Sequence, residues 1–132
     1  AIEHTLGGEI VVPKIPSYRI ETVAKAIAPE AKLEYVGIRP GEKLHEEMIT
    51  ESDSYSTIDI GKYYAILPAG SDENAVLFSG LSKSKYIAHY NATEVKHGFN
   101  YNSGENDQWV SIEEMRKLIK DHVDINFNPI NA

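Results

Sequence analysis

The run Gly37-Ile38-Arg39-Pro40-Gly41-Glu42-Lys43-Leu44-His45-Glu46 concentrates the chemistry of this chain. An arginine follows the end of a predicted strand, and a Pro-Gly turn separates it from Glu42. In α/β sheets, ligands gather at the carboxyl ends of strands. A guanidinium fork there meets a phosphate or pyrophosphate with two parallel donors. A carboxylate three positions on accepts hydrogen bonds from a pair of sugar hydroxyls. Arg39 and Glu42 together therefore describe a site for a nucleoside diphosphate with its ribose. The same spacing also lets the two side chains pair with each other in an exposed turn, where an ion pair is worth little. Both readings stand on the residues alone.

The remaining candidates have simpler explanations. Lys14, in the stiff loop Pro13-Lys14-Ile15-Pro16-Ser17, can meet a phosphate but reads more simply as a solvated lysine. His45 is expected on a surface or facing a partner. Asn102, Ser103 and Asn106 are turn formers, Trp109 is a packing anchor, and Glu113, Glu114, Arg116 and Lys117 form a solvated helix face. No G-x-G-x-x-G, no Tyr-x-x-x-Lys pair, no phosphate loop, no H-E-x-x-H and no G-x-S-x-G occurs. The chain has no cysteine, which removes thiolate catalysis, disulfides and Cys-ligated zinc and fits a reducing compartment. No catalytic residue, cofactor-binding residue or metal ligand is assigned.

These groups must be positioned by ordinary globular elements. The 132 residues are 42% hydrophobic and 25% charged, enough for a core. With 13 Lys plus Arg against 20 Asp plus Glu, the net charge of -7 gives no footprint for nucleic acid or anionic lipid. No apolar run approaches the roughly 20 residues of a membrane span. Ala1–Leu6 before Gly7-Gly8 reads as the last turns of a helix, so a chain cut at a domain boundary is expected. The patterning predicts a strand over 9–12, a helix with Ile20, Val23, Ala24 and Ile27 on one face, and a strand over 32–38. That unit implies parallel strands with a crossover helix. A short helix over 42–49 follows, then strands over 57–60 and 63–67 meeting at Gly61-Lys62. A strand over 99–101 and a helix from Ser111 come last. Ser111 and Glu114 carry the spacing of a capping box, and Ile112, Met115, Leu118, Ile119 and His122 or Val123 line the inner face. Residues 1–132 are read as one substrate-binding domain or fragment, with a poorly patterned insertion over 69–98 and a frayed tail over 124–132.

Gly7-Gly8-Glu9-Ile10, Val12-Pro13-Lys14-Ile15-Pro16-Ser17, Ala24-Lys25-Ala26-Ile27-Ala28-Pro29 and the run Gly37 to Glu46 closely resemble the C-terminal part of the inverting UDP-N-acetylglucosamine 4,6-dehydratases. These are extended short-chain dehydrogenase/reductase enzymes of pseudaminic-acid and related polysaccharide pathways. Gly98 to Ser103, with Asn106, Trp109 and Ser111, resembles the terminal segment of that family. The resemblance covers most of Gly7 to Ile119 and is weakest over 69–97. It implies an α/β fold, the substrate-binding part of a Rossmann-type enzyme whose N-terminal nucleotide-binding domain is absent from this chain. It implies NADP held on that other domain, where the catalytic Asp, Lys and Tyr also lie. The implied reaction lends a hydride from C4 to NADP, loses water across C5 and C6, and returns the hydride to C6 with inversion at C5. By resemblance Arg39 holds the UDP pyrophosphate, Glu42 takes the ribose hydroxyls, and Asn102 and Ser103 belong to a turn near the substrate pocket. A cytoplasmic homo-oligomer acting on UDP-N-acetylglucosamine or a related UDP-hexosamine is expected, with this chain alone inactive. The rival reading is a non-catalytic UDP-sugar-binding or protein-interaction module.

Overall fold

In the computed structural model, residues 4–68 and 81–130 are described. The chain divides into two compact units, one of residues 1–14 and 47–102 and the other of residues 15–46 and 103–132.

The first unit is built on strand β1 (Ile10–Pro13), β3 (Thr57–Asp59), β4 (Tyr63–Ile66) and β5 (Thr93–Glu94), ordered β1-β4-β3-β5 and antiparallel at every ladder. The β3–β4 hairpin turns where sequence places it. Gly61 takes φ +86°, its N–H donates to Asp59 Oδ1 at 2.8 Å, and Ile60 N–H donates to the Tyr63 carbonyl at 3.0 Å. Positive φ is the reason for glycine there. Strand alternation sends Ile58 and Ala65 inward, and helix α2 (Lys83–Tyr90) covers them with Tyr86; all three are fully buried. Complete burial of a side chain such as Ile58 contributes about 1.5–3 kcal/mol. The Tyr86 hydroxyl keeps a partner by donating to the Gly7 carbonyl at 2.7 Å. Asn91 ends α2 in the left-handed region at φ 48°, with Ala92 N–H donating to Ile87 O at 3.0 Å. A separate two-stranded ladder joins β2 (Glu47–Ile49) to β6 (Tyr101–Asn102), with Ile49 fully buried.

The second unit packs α1 (Ile20–Ile27) on α3 (Ile112–His122) around Ala26, Val110 and Met115. Backbone ends are met by specific donors. Arg116 Nε donates to Ala26 O at 3.1 Å, and Ile130 N–H donates to Ile27 O at 2.7 Å, so two carbonyls of the last turn of α1 are satisfied. Ser17 and Trp109 form an isolated parallel bridge through Ser17 N–H to Gln108 O and Val110 N–H to Ser17 O, each 2.8 Å. The capping box is present in full. Glu114 N–H donates to Ser111 Oγ at 3.2 Å, and Ser111 N–H donates to Glu114 Oε2 at 2.8 Å.

Helices and sheet occur together as expected, but several elements differ from the sequence pattern. Residues 31–39 form no strand, and no ladder among the described residues is parallel. Tyr35 and Val36 stand 76% and 82% exposed, so the apolar alternation there finds no partner. Residues 42–49 are not a helix. Leu44 is exposed, and Ile49 turns inward on a strand because Tyr101–Asn102 pairs with it. The inner residue of α1 is Ala26 rather than Ile20, which is 78% exposed. Of the stretch read as an insertion, 69–80 lies outside the described residues, and 81–98 carries α2 and β5. Of the tail read as frayed over 124–132, residues 131–132 lie outside the described residues, and Ile130 is tied back to Ile27. Of the helical turns expected over 1–6, residues 1–3 lie outside the described residues, and Thr5 and Leu6 are not helical.

Replacing Ser111 by Ala should cost about 1 kcal/mol of stability, since the Oγ that accepts the Glu114 N–H is lost while the backbone N–H of residue 111 still donates to Glu114 Oε2; urea denaturation followed by circular dichroism measures it. A second expectation comes from the short hydrogen bond that Tyr90 donates to Glu9 Oε1. Burial and the Glu9 carboxylate push the Tyr90 hydroxyl up to about 12 from its ordinary 10.0. Burial alone would raise Glu9, but bonds from Tyr90 and the backbone outweigh it and hold the carboxyl below its ordinary 4.5. The raised tyrosine contributes stability that is full below pH 10.0 and is lost as pH rises through about 12. The lowered carboxyl contributes stability present above 4.5 and lost as pH falls through its depressed value. The Tm gap between the wild type and Tyr90→Phe should therefore be widest from about pH 5 to 10 and narrow on both sides. A gap independent of pH would mean the pair does not carry this coupling.

Candidate functional site

Pro40 and Gly41 set the geometry of the Arg39–Glu42 turn. Proline fixes φ at the first central position, Gly41 takes φ +88° at the second, and Glu42 N–H donates to the Arg39 carbonyl at 3.0 Å. This is the type II pattern, in which only glycine sits comfortably at the second central position. The Glu42 side chain then folds back, and its Oε2 accepts the Arg39 N–H at 2.8 Å. The two residues thus meet through the Arg39 backbone and not through its guanidinium. Arg39 forms no ion pair among the described residues, and both side chains are exposed. The turn leaves both the Arg39 guanidinium and Glu42 Oε1 exposed, groups able to take an anion and a hydroxyl respectively.

Beside Glu42 lies an open groove of about 680 Å³, lined by Ile20, Ile38, Gly41, Lys43, Leu44 and Glu46. Ile20 and Leu44 carry the apolar side of it. Both fit a helical core pattern, so periodicity assigned them inward; their exposure of 78% and 75% is visible only in the folded chain. A second groove of about 420 Å³ shares Ile20 and runs past Arg19, Glu21, Leu33 and Tyr35, whose hydroxyl donates to Glu21 Oε1 at 2.6 Å.

Asn102 and Ser103 are placed differently from Arg39 and Glu42. Asn102 lies in β6 opposite Glu47, and its Nδ2 donates to Asn100 Oδ1 at 2.7 Å. Ser103 belongs to the unit that holds the turn. Its N–H donates to the Glu46 carbonyl at 2.8 Å, and its Oγ accepts the Glu46 N–H at 3.0 Å.

Lys14 is not available to a phosphate. Its Nζ meets both carboxylate oxygens of Asp59 at 2.7 Å and lies 4.3 Å from the centroid of the Tyr64 ring. Trp109 remains 41% exposed, with the Arg19 guanidinium 5.3 Å from its ring. Asn106 is a structural turn residue, its Nδ2 donating to Ile15 O at 2.7 Å. Among the described residues no group of three or more His, Asp or Glu is disposed to hold a metal ion.

The chain matches known proteins across both halves of this architecture. The family described as polysaccharide biosynthesis protein matches residues 1–68. An inverting UDP-N-acetylglucosamine 4,6-dehydratase of Campylobacter jejuni is 40% identical over 120 residues, covering 89% of this chain and 34% of the relative. A UDP-glucose 4-epimerase of Rickettsia akari is 30% identical over 125 residues, covering 90% of this chain and 33% of the relative. The solved structure of Pen from Bacillus thuringiensis superposes with a TM-score of 0.59 at 26% identity, over 87% of this chain and 32% of that one. The chain thus spans about a third of the length of the curated relatives it matches. With residues 1–68 inside the family and such identity to a dehydratase over most of its length, the chain belongs to the polysaccharide biosynthesis protein family, alongside dehydratases and epimerases of UDP-sugars.

Proposed function

We propose that this chain is the nucleotide-sugar-binding part of a UDP-N-acetylglucosamine 4,6-dehydratase of the C5-inverting type. The observation that carries the reading is the type II turn, which closes Glu42 onto the Arg39 backbone and leaves the guanidinium without an ion pair among the described residues. The likeness to the Campylobacter jejuni dehydratase supports it. Arg39 takes the pyrophosphate of UDP with its two parallel donors. Glu42 keeps Oε1 for a ribose hydroxyl while Oε2 holds the turn. Asn102 and Ser103 belong to the same binding part. The parent protein acts on UDP-N-acetylglucosamine or a related UDP-hexosamine, on the way to pseudaminic acid or a related surface sugar. It works as a cytoplasmic homo-oligomer. Among the described residues no helix is long and apolar enough to cross a membrane.

NADP is the cofactor of the proposed reaction. The residues described here do not fit it: no glycine-rich turn follows a strand into a helix, and every ladder is antiparallel. Hydride transfer therefore has no residue among those described to act through, and we assign the cofactor to another part of the parent protein.

Two expectations test this reading. In titration calorimetry with UDP, Arg39→Ala should lose affinity by about tenfold to a hundredfold, Arg39→Lys less, and Glu42→Gln least. UDP should show the effect as fully as the UDP-sugar, because both residues address the nucleotide half; unchanged affinity in Arg39→Ala removes the pyrophosphate assignment. The isolated chain should neither bind NADPH in a fluorescence titration nor turn over UDP-N-acetylglucosamine. Tight NADPH binding would place a dinucleotide site on this chain and overturn that expectation.

A further inference from the structure

We infer that Ser103 and Gly104 are positioning residues for the Arg39–Glu42 turn, acting through Glu46 and His45 rather than by touching the nucleotide. The inference rests on the nucleotide-binding reading of that turn and adds the part of the chain that sets its place.

The turn lacks support on its N-terminal side. Residues 31–39 pair with no strand among the described residues, and the one side-chain restraint seen between Ala31 and Ile38 is the exposed Tyr35–Glu21 hydrogen bond. On its C-terminal side the backbone is held. Glu46 engages Ser103 with both of its main-chain groups, the carbonyl accepting Ser103 N–H at 2.8 Å and the N–H donating to Ser103 Oγ at 3.0 Å. A two-bond coupling fixes both distance and direction, which a single bond does not.

Next in each strand of chain, His45 lies against Gly104. A Cβ built on Gly104 would stand 2.7 Å from His45 Cγ and 2.8 Å from Cδ2 and Nδ1. All three atoms belong to the exposed His45 ring, so any larger residue at 104 must turn that ring to another rotamer or push the His45 backbone away. This glycine is required for close approach and not for a positive φ, since its backbone lies outside the left-handed region. Only three residues separate Glu42 from Glu46, so a displaced His45–Glu46 segment carries Glu42 with it. The Ser103 hydroxyl is thereby committed to the backbone, which gives it a role without a ligand contact.

The test uses the whole chain, with amide NMR shifts of Arg39 and Glu42 as the readout of turn position and UDP affinity as the readout of binding. Gly104→Ala and Ser103→Ala should each shift both amides and weaken UDP binding by about twofold to tenfold. Ser103→Thr keeps an Oγ and should leave both readouts close to wild type. His45→Ala added to Gly104→Ala should restore both, because the collision has been removed. Unshifted Arg39 and Glu42 amides in Gly104→Ala and Ser103→Ala would overturn the inference whatever UDP does. So would failure of His45→Ala to restore Gly104→Ala, or loss of a cooperative thermal melt in the single variants, since the loop would then be acting on the fold at large. Shifted amides with UDP affinity insensitive to Arg39→Ala would uphold the positioning role and remove the nucleotide reading instead.

Discussion

The reciprocal hydrogen bonding of Arg39 and Glu42 is the constraint on which the candidate site depends. A carboxylate three residues after an arginine would ordinarily be drawn to the guanidinium. Here Glu42 Oε2 accepts the Arg39 N–H and Glu42 N–H donates to the Arg39 carbonyl. The ring so closed needs a turn with fixed φ followed by positive φ, which Pro40 and Gly41 supply. One oxygen of the carboxylate is used to shape the backbone, and the cation is left facing water. An exposed side-chain pair between the two would have contributed little to stability, so the turn loses little by forgoing it.

The two units solve their burial problems by different means. In the first, a four-stranded antiparallel sheet buries Ile58 and Ala65 beneath Tyr86 of α2, and polar groups drawn inward are each given partners. Tyr86 has the Gly7 carbonyl, and Lys83 has Glu94 at 3.2 Å and the Tyr55 carbonyl at 3.3 Å. Glu9 Oε2 is the exception, a buried acceptor with no hydrogen bond among the described residues. It shares a carboxylate with the oxygen that Tyr90 binds, and a buried unsatisfied oxygen is costly. In the second unit the core is small, and side-chain and backbone donors at helix ends take a larger share. Arg116, Ile130, Ser111 and Glu114 each satisfy groups that a helix terminus leaves open.

What the sequence made legible is what is decided locally. Gly61-Lys62 announced the β3–β4 hairpin, apolar spacing announced α1 and α3, and Ser111 with Glu114 announced a capping box that is present atom for atom. What it hid depends on distant partners. Leu44, Met48 and Ile49 suit a helical period, yet Ile49 lies on a strand because Tyr101, far along the chain, pairs with it. Lys14 looked like a solvated cation because Asp59 is 45 positions away. The alternation of residues 32–38 is a strand pattern with no ladder among the described residues, and pattern alone does not supply the neighbour. Within the candidate site, Arg39 and Glu42 could be named because their relation spans a single turn. Ser103 could not be given its role, since that role consists of two hydrogen bonds to Glu46 across 57 positions.

The charge of the chain bears on how such a turn would hold a nucleotide. With a net charge of -7, the long-range field opposes a nucleoside diphosphate. In the groove beside the turn, Glu42 and Glu46 stand against Lys43, so the approach is not a basic funnel. At physiological ionic strength, charges farther away than about 8 Å are largely screened. Under the nucleotide reading, recognition must therefore come from contact and not from steering. A bidentate fork works at contact, where its two donors match two oxygens and its strength depends on direction. A point charge on a flexible stem gains less in such a setting, because its attraction is the part that screening and neighbouring carboxylates weaken. Under the same reading an acidic surface also discriminates: a bare anion meets the repulsion of the carboxylates, whereas a ligand that offers a pyrophosphate to Arg39 and a hydroxyl to Glu42 turns the nearby carboxylate from a penalty into an acceptor.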